Sequence, residues 1–207
     1  MNDDGEKPAP IPAADSHLPR KIFHLAAASI IPTVYYLQVF SWRTSAILVV
    51  LATIIWAGMD YYRMYNPRFN QFALGVLGPL LKAKERSQIT ASSHLLIASS
   101  AVILLLERRI ACAALFFIAL GDPAAAVVGK RFGSHRLSNG KSLEGAAAMF
   151  LVCLAAGFGL TGSIPVASAG AAGAALAELL LTRVDDNLSV PLASGAVMTA
   201  LAMGMGG

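Results

Sequence analysis

Asp122 is the first residue of this 207-residue chain that suggests chemistry, because it stands inside an apolar run, in the string GDPAAAVVGKRFG, eight residues before Lys130. At 1.5 Å per helical residue it lies about 12 Å beneath that base. An acid at such a depth is costly and marks a functional-site candidate by default. Pro123 follows and removes a backbone donor, so nearby carbonyl oxygens are free for a cation or a substrate. Asp122, Ala125, Ala126 and Gly129 form a stripe of small residues that lets another backbone approach. Downstream, GKRFGSHRLSNGKSLEG sets glycines at 129, 133, 140 and 145 among bases at 130, 131, 136 and 141. Glycines admit phosphates to the backbone, and Lys or Arg supplies countercharge. Gly140-Lys141-Ser142 imitates the end of a Walker A loop, but His135 stands where that motif needs a glycine. Lys141 and Glu144, three apart, are expected to face one pocket.

Three further groups point to the same chemistry. Arg20 and His24, four apart, share a helical face beside Lys21 at the head of the first apolar run. Glu178 lies inside the end of another run, followed by Asp185, Asp186 and Asn187. Such oxygen ligands suit Mg²⁺, which takes carboxylates together with substrate phosphates and water. No His/Cys cluster has zinc spacing. Carboxylates for Mg²⁺, bases for phosphates and glycines for close approach describe phosphoryl or nucleotidyl chemistry, in which catalysis is mostly positioning and charge neutralisation.

The elements that must hold these residues are membrane helices. Hydrophobic residues make up 56% of the chain and charged ones only 14%, with mean hydropathy +0.62. Soluble domains carry about a quarter charged residues. A cytosolic enzyme, a nucleic-acid binder and a disulfide-stapled secreted domain are therefore excluded, despite a net charge of +4. Seven apolar runs are expected to span: Ile22 to Phe40, Thr44 to Met59, Ser93 to Leu106, Ile110 to Val128, Leu143 to Leu160, Val166 to Thr182 and Leu188 to Gly204. Phe69 to Leu81, broken by Gly75, Gly78 and Pro79, reads as an interfacial or re-entrant helix. Residues 1–19, rich in Pro and acids, read as a disordered cytoplasmic tail rather than a signal peptide. Residues 20–207 form the membrane-embedded domain. Cys112 and Cys153 lie in apolar runs and are expected to act as small hydrophobes.

With seven spans, thirteen of the 16 bases fall on the face of the N-terminus, and Arg43, Arg108 and Arg109 on the other. Basic loops stay cytoplasmic. The expected topology is an all-α polytopic bundle with the N-terminus and the site cytoplasmic and the C-terminus across the membrane. A small transporter would also bury an acid in Gly/Ala-rich helices, but with polar residues on both faces and internal repeats. The outer loops carry only Arg43, Glu107, Arg108 and Arg109.

Spaced motifs in order carry a resemblance: Arg20-Lys21-Ile22-Phe23-His24, the stretch from Arg63 to Thr90, Gly121-Asp122 through Gly133, Lys141-Ser142-Leu143-Glu144-Gly145, and Glu178 with Asp186-Asn187-Leu188-Ser189-Val190-Pro191. The chain resembles the polyprenol and lipid kinases that include dolichol kinase, phytol kinase and CTP-dependent diacylglycerol kinase. The fourth loop and KSLEG also resemble phosphatidate cytidylyltransferases, which form CDP-diacylglycerol. Those carry an extended signature where this chain has VDDNLSVP, which favours the kinases. The resemblance implies transfer of the γ-phosphate of CTP, or ATP, to the hydroxyl of a lipid alcohol such as phytol, a polyprenol or diacylglycerol. It also implies a catalytic set of Asp122, Lys141, Glu144, Glu178 and Asp186, with Asp122 and Asp186 on Mg²⁺. Arg20, Lys21, Gly129, Lys130, Arg131, Gly133 and Asn187 would hold nucleotide phosphates, and His24 would meet the lipid substrate.

Overall fold

The computed structural model describes residues 17–206 apart from 79, 80 and 82. Residues 1–16 of the expected tail lie outside the described residues, and helix α1 begins at His17 rather than Arg20. The chain runs through α1 (His17–Tyr36), α2 (Trp42–Tyr65), α3 (Pro67–Leu77), a 3₁₀ turn (Ala83–Arg86) and α4 (Ala91–Leu105). It continues as α5 (Arg108–Phe116), a π-turn (Phe117–Gly121), α6 (Asp122–Phe132), α7 (Leu143–Thr161), α8 (Ile164–Leu180) and α9 (Asp186–Met205). Among the described residues there is no strand, only an isolated bridge between Arg136 and Ser142.

Helix starts follow capping chemistry. The side chains of Ser41, Thr90, Ser142 and Ser163 each accept from the backbone N–H three residues on, opening α2, α4, α7 and α8. Each such cap stabilises by about 1 kcal/mol. Gly162 closes α7 in the left-handed region at φ +69°, where a Cβ would be strained.

All seven apolar runs are helical, but the expected count of seven spans needs correction. Among the described residues four helices are long and apolar enough to cross a membrane: Trp42–Tyr65, Arg108–Phe132, Leu143–Thr161 and Asp186–Met205. Leu25–Tyr36, Ala91–Leu105 and Ile164–Leu180 are apolar but shorter. The causes are local. Arg20, Lys21 and His24 occupy the first turns of the 20-residue α1, α4 stops before Glu107, and α8 runs only from Ile164 to Leu180. Helices α4 and α8, of 15 and 17 residues, cover about 22–26 Å, short of a core about 30 Å thick. The segment read as interfacial contributes α3, packed on α2, and its residues 79 and 80 lie outside the described residues.

Packing fixes which ends meet. The indole of Trp42 donates to the Ile103 carbonyl at 3.1 Å, Thr53 to the Leu96 carbonyl at 3.0 Å and Ser93 to Asp60 at 2.7 Å, so α2 and α4 run antiparallel. Glu107, Thr161, Ser163 and Met205 line one cleft, which gathers the ends of α4, α7 and α9 with the starts of α5 and α8. Cys112 at that end donates to the Pro32 carbonyl at 3.7 Å, so α1 finishes there too. The opposite end is consequently where α1, α4, α7 and α9 begin and α2, α6 and α8 finish.

The core is built of small residues around Phe117, whose ring fills notches at Gly157 and Gly170. Where lipid offers no hydrophobic gain, such close van der Waals fit drives helix association. The crossing of α6 and α7 is tighter still. A Cβ on Gly145 would stand 2.9 Å from the Ala125 carbonyl oxygen and 3.5 Å from the Gly129 Cα. Backbone cannot step aside, so Gly145→Ala is expected to destabilise by about 1–3 kcal/mol. A thermal melt in lipid nanodiscs reads this, and an unchanged midpoint would mean that α6 and α7 can part without cost.

Candidate functional site

The base-rich end is organised by the connection between α6 and α7. Gly133 ends α6, donating its N–H to the Gly129 carbonyl at 3.2 Å. Arg136 then folds back, its guanidinium donating to the Gly129 carbonyl at 2.9 Å and to the Gly140 carbonyl at 3.2 Å. A cation there meets the partial negative charge of the helix end. The turn itself needs Gly140, which sits at φ +83°, a conformation natural only to glycine. Asn139 ties the turn to α8. Its Oδ1 accepts from the Lys141 N–H at 3.0 Å, and its Nδ2 donates to the Leu179 carbonyl at 2.9 Å.

Held this way, the Lys141 ammonium enters a nest of acceptors. Its Nζ donates to both Asp186 carboxylate oxygens at 3.1 Å, pairs with Glu178 Oε1 at 3.1 Å, and donates to the Glu178 carbonyl. The side chains are 23% (Lys141), 10% (Glu178) and 28% (Asp186) exposed, so the cluster is sheltered yet open to a ligand. Burial alone would lower the Lys141 pKa, but the Asp186 and Glu178 carboxylates outweigh it and hold the ammonium above the ordinary lysine value. Asp122, half-buried on α6, lies close enough to Asp186 for the two charges to repel, as does Glu178. Asn187 is buried beside them; its Nδ2 donates to Asp185 at 2.7 Å, and its Oδ1 has no hydrogen-bond partner among the described residues.

The structure thus brings together Asp122, Lys141, Glu178, Asp186 and Asn187. It separates Glu144 from Lys141. In the first turn of α7, Glu144 accepts from the His135 N–H at 3.0 Å and pairs with His135 Nδ1 at 2.7 Å, so the expected shared pocket is corrected: Lys141 pairs with α8 and α9 instead. Lys130 and Arg131 are exposed at the end of α6, Arg131 lying 5.4 Å from the centre of the Phe132 ring. Gly129 and Gly133 face Ser142, whose Oγ would meet an added Cβ at 2.8 and 2.9 Å. Their openness is filled by the α7 cap, not left for a phosphate. Arg20, Lys21 and His24 lie on the first turns of α1, which begins at this end, but their side chains lie outside the described residues. Among the described residues no group of three or more His, Cys, Asp or Glu is arranged to hold a metal.

A second buried polar cluster occupies the same end. Asp60 and Arg63, on the last turns of α2, pair at 2.5 Å and are each 4% exposed. From the sequence, Asp60, Arg63 and Glu85 share the base-rich face, and Asp60 with Tyr61, Tyr62 and Tyr65 reads as an interfacial belt. The signal that marks the cluster is an acid and a base three apart at the end of an apolar run, a spacing that faces them together on a helix. Asp60 also accepts from the Thr90 N–H at 2.6 Å and the Ser93 hydroxyl at 2.7 Å. Asn139 was also missed; an Asn-Gly pair between two apolar runs marks such a turn.

No family model matches the chain, and no solved structure does. Among curated proteins it is 28% identical over 185 residues to an uncharacterized protein of Rickettsia prowazekii, covering 84% of this chain and 88% of that one. It is also similar to proteins named CTP-dependent diacylglycerol kinase 1, 26% identical in Eremothecium gossypii and 27% in Saccharomyces cerevisiae, each match covering 65% of this chain. These matches take in 43% and 47% of the two kinases, so the chain spans about half their length. By sequence the chain is thus a distant relative of CTP-dependent diacylglycerol kinases.

Proposed function

We propose that this protein is an integral-membrane lipid kinase that transfers the γ-phosphate of a nucleoside triphosphate to the hydroxyl of a lipid alcohol. The observation that carries this reading is Lys141 held between Glu178 and Asp186, with Asp122 beside them, at the end of the bundle where the basic loops gather. The names of the two similar kinases support CTP as donor and diacylglycerol as acceptor; phytol and polyprenols such as dolichol belong to the same class of alcohol. Basic loops are retained on the cytoplasmic side, which supports a cytoplasmic N-terminus and site and a C-terminus across the membrane. Residues 20–207 would act as one catalytic domain.

In this reading the hydroxyl oxygen attacks the γ-phosphorus, the bond to the β–γ bridging oxygen breaks, and the nucleoside diphosphate leaves. The hydroxyl proton passes to a carboxylate, for which Asp122 is placed deepest, on the lipid side of the cluster. Lys141 offers a positive charge where the transferred phosphoryl group gathers negative charge, and Glu178 and Asp186 orient it. Arg20, Lys21, Lys130 and Arg131 hold the nucleotide phosphates, Asn187 offers an acceptor, and His24 meets the lipid. Asp122 and Asp186 are the carboxylates that would hold Mg²⁺, which commonly takes one or two carboxylates and completes its shell with phosphate oxygens and water. Mg²⁺ held there would neutralise charge on the phosphate oxygens.

The test compares CTP labelled at the γ-phosphate with CTP labelled at the α-phosphate, using purified protein in nanodiscs with lipid alcohols and phosphatidic acid. Label in the lipid from γ alone is expected. Label from α alone would replace this reading by that of a cytidylyltransferase.

A further inference from the structure

Arg63 looks at first like one more phosphate-binding base, yet none of its hydrogens is available to a ligand. Its Nε donates to Asp60 at 2.5 Å, one terminal nitrogen to Asn70 Oδ1 and the Arg86 carbonyl at 3.2 Å each, and the other to the carbonyls of Glu85 at 2.7 Å and Gln88 at 2.5 Å. A guanidinium has five N–H donors, and all five are engaged inside the protein. Three of the acceptors are backbone carbonyls of residues 85–88. The fork therefore grips one short stretch of chain from beneath, and Asp60 grips its other end through the Thr90 N–H at 2.6 Å. Glu85 adds a bond from the Ala91 N–H at 3.3 Å.

What this grip presents is Arg86. Its carbonyl is held by Arg63, while its side chain is exposed and makes no ion pair among the described residues. It stands just before α4, which packs on α9, where Gly195 meets Leu106 and Val102. Both helices begin at the end that carries Lys141. A planar fork fits phosphate through paired N–H donors, and a clamped backbone lowers the cost of ordering the side chain that it carries.

We propose that Arg86 contacts the phosphates of the bound nucleotide and that Arg63 is the positioning residue that holds it there. The inference rests on the kinase reading above. It places one phosphate contact on the turn between α3 and α4, apart from the loop between α6 and α7.

Equilibrium binding of radiolabelled CTP and CMP to full-length protein in nanodiscs tests it. Arg86→Ala is expected to weaken CTP at least tenfold and CMP less than threefold, since the contact is to the outer phosphates; Arg86→Lys recovers part of the loss. Arg63→Lys is expected to give the same selective loss, with no further loss when combined with Arg86→Ala. Asn70→Ala, which leaves the Asp60–Arg63 pair intact, is expected to weaken CTP in the same direction, with faster amide hydrogen exchange at residues 85–90. CTP binding unchanged in Arg86→Ala overturns the inference alone. Losses that multiply in the double variant overturn the positioning role of Arg63. Wild-type protein that binds no CTP overturns the inference together with the kinase reading.

Discussion

Asp122→Asn is expected to abolish turnover while leaving the protein folded and inserted. The side chain keeps its volume and loses only its charge. The Asp122 side chain makes no hydrogen bond or ion pair among the described residues, and its charge lies against Asp186. Neutralising it removes a repulsion and breaks no contact, so the melting midpoint should stay or rise. Turnover should fall by at least about 10²-fold, the loss that follows removal of one preorganised electrostatic contact to a reacting group. The measurement is γ-phosphate transfer beside a thermal melt of the same nanodisc sample. Wild-type-like turnover would remove Asp122 from the mechanism, and a collapsed melt would make its role structural.

Lys141→Met is expected to act on stability as well as on turnover. The substitution keeps an unbranched side chain out to Cε but leaves Glu178 and Asp186 as neighbouring carboxylates without their cation. Breaking a fully buried pair costs about 3–5 kcal/mol; Lys141 and Asp186 keep about a quarter of their exposure, so about 2–3 kcal/mol is expected here after screening by solvent. The pH dependence carries a definite sign. Because the Lys141 pKa is raised from its ordinary 10.5, its contribution is complete below that value and is lost as pH rises through the higher folded value. The stabilisation supplied by the Lys141 cation should therefore be present at pH 7 and be lost only in the alkaline range above the ordinary lysine value. Melts across that range measure it, and a variant as stable as wild type at pH 7 would show that the ion pairs contribute nothing.

Hydrophobic runs and punctuation made the helices legible in the sequence. Thr161-Gly162-Ser163-Ile164-Pro165 divides the 33 uncharged residues from Gly145 to Ala177 where α7 ends and α8 begins. Span number was less legible, because apolar composition does not reveal where a cap or a charged turn shortens a helix, as at α1 and α4. Partners across loops were the least legible. Helical spacing put Lys141 with Glu144, but α7 starts only at Leu143, so Lys141 lies in a turn that follows no such period. Its direction is set by Asn139 and by the C-terminal carbonyls of α8, forty residues away in the chain. Asp60 met the same obstacle, since its neighbours Thr90 and Ser93 come from another helix. Asp122 stood out because an acid before a proline in an apolar run is conspicuous without any knowledge of neighbours.

The π-turn at Phe117–Gly121 gives the helix from Arg108 to Phe132 one surplus residue. On one flank Phe117 is seated against Gly157 and Gly170; on the other, Gly121 abuts Met149 and Cys153, and Gly129 abuts Gly145. A residue removed within the π-turn is taken up by the ordinary α-helical turn, with both flanks left in register. A residue removed at Ala113 or Ala126 instead swings one flank by about 100° from its partners. The loss of a residue in this helix is therefore tolerable at one place only, immediately before the acid, and Asp122 keeps its bearing through a deletion there.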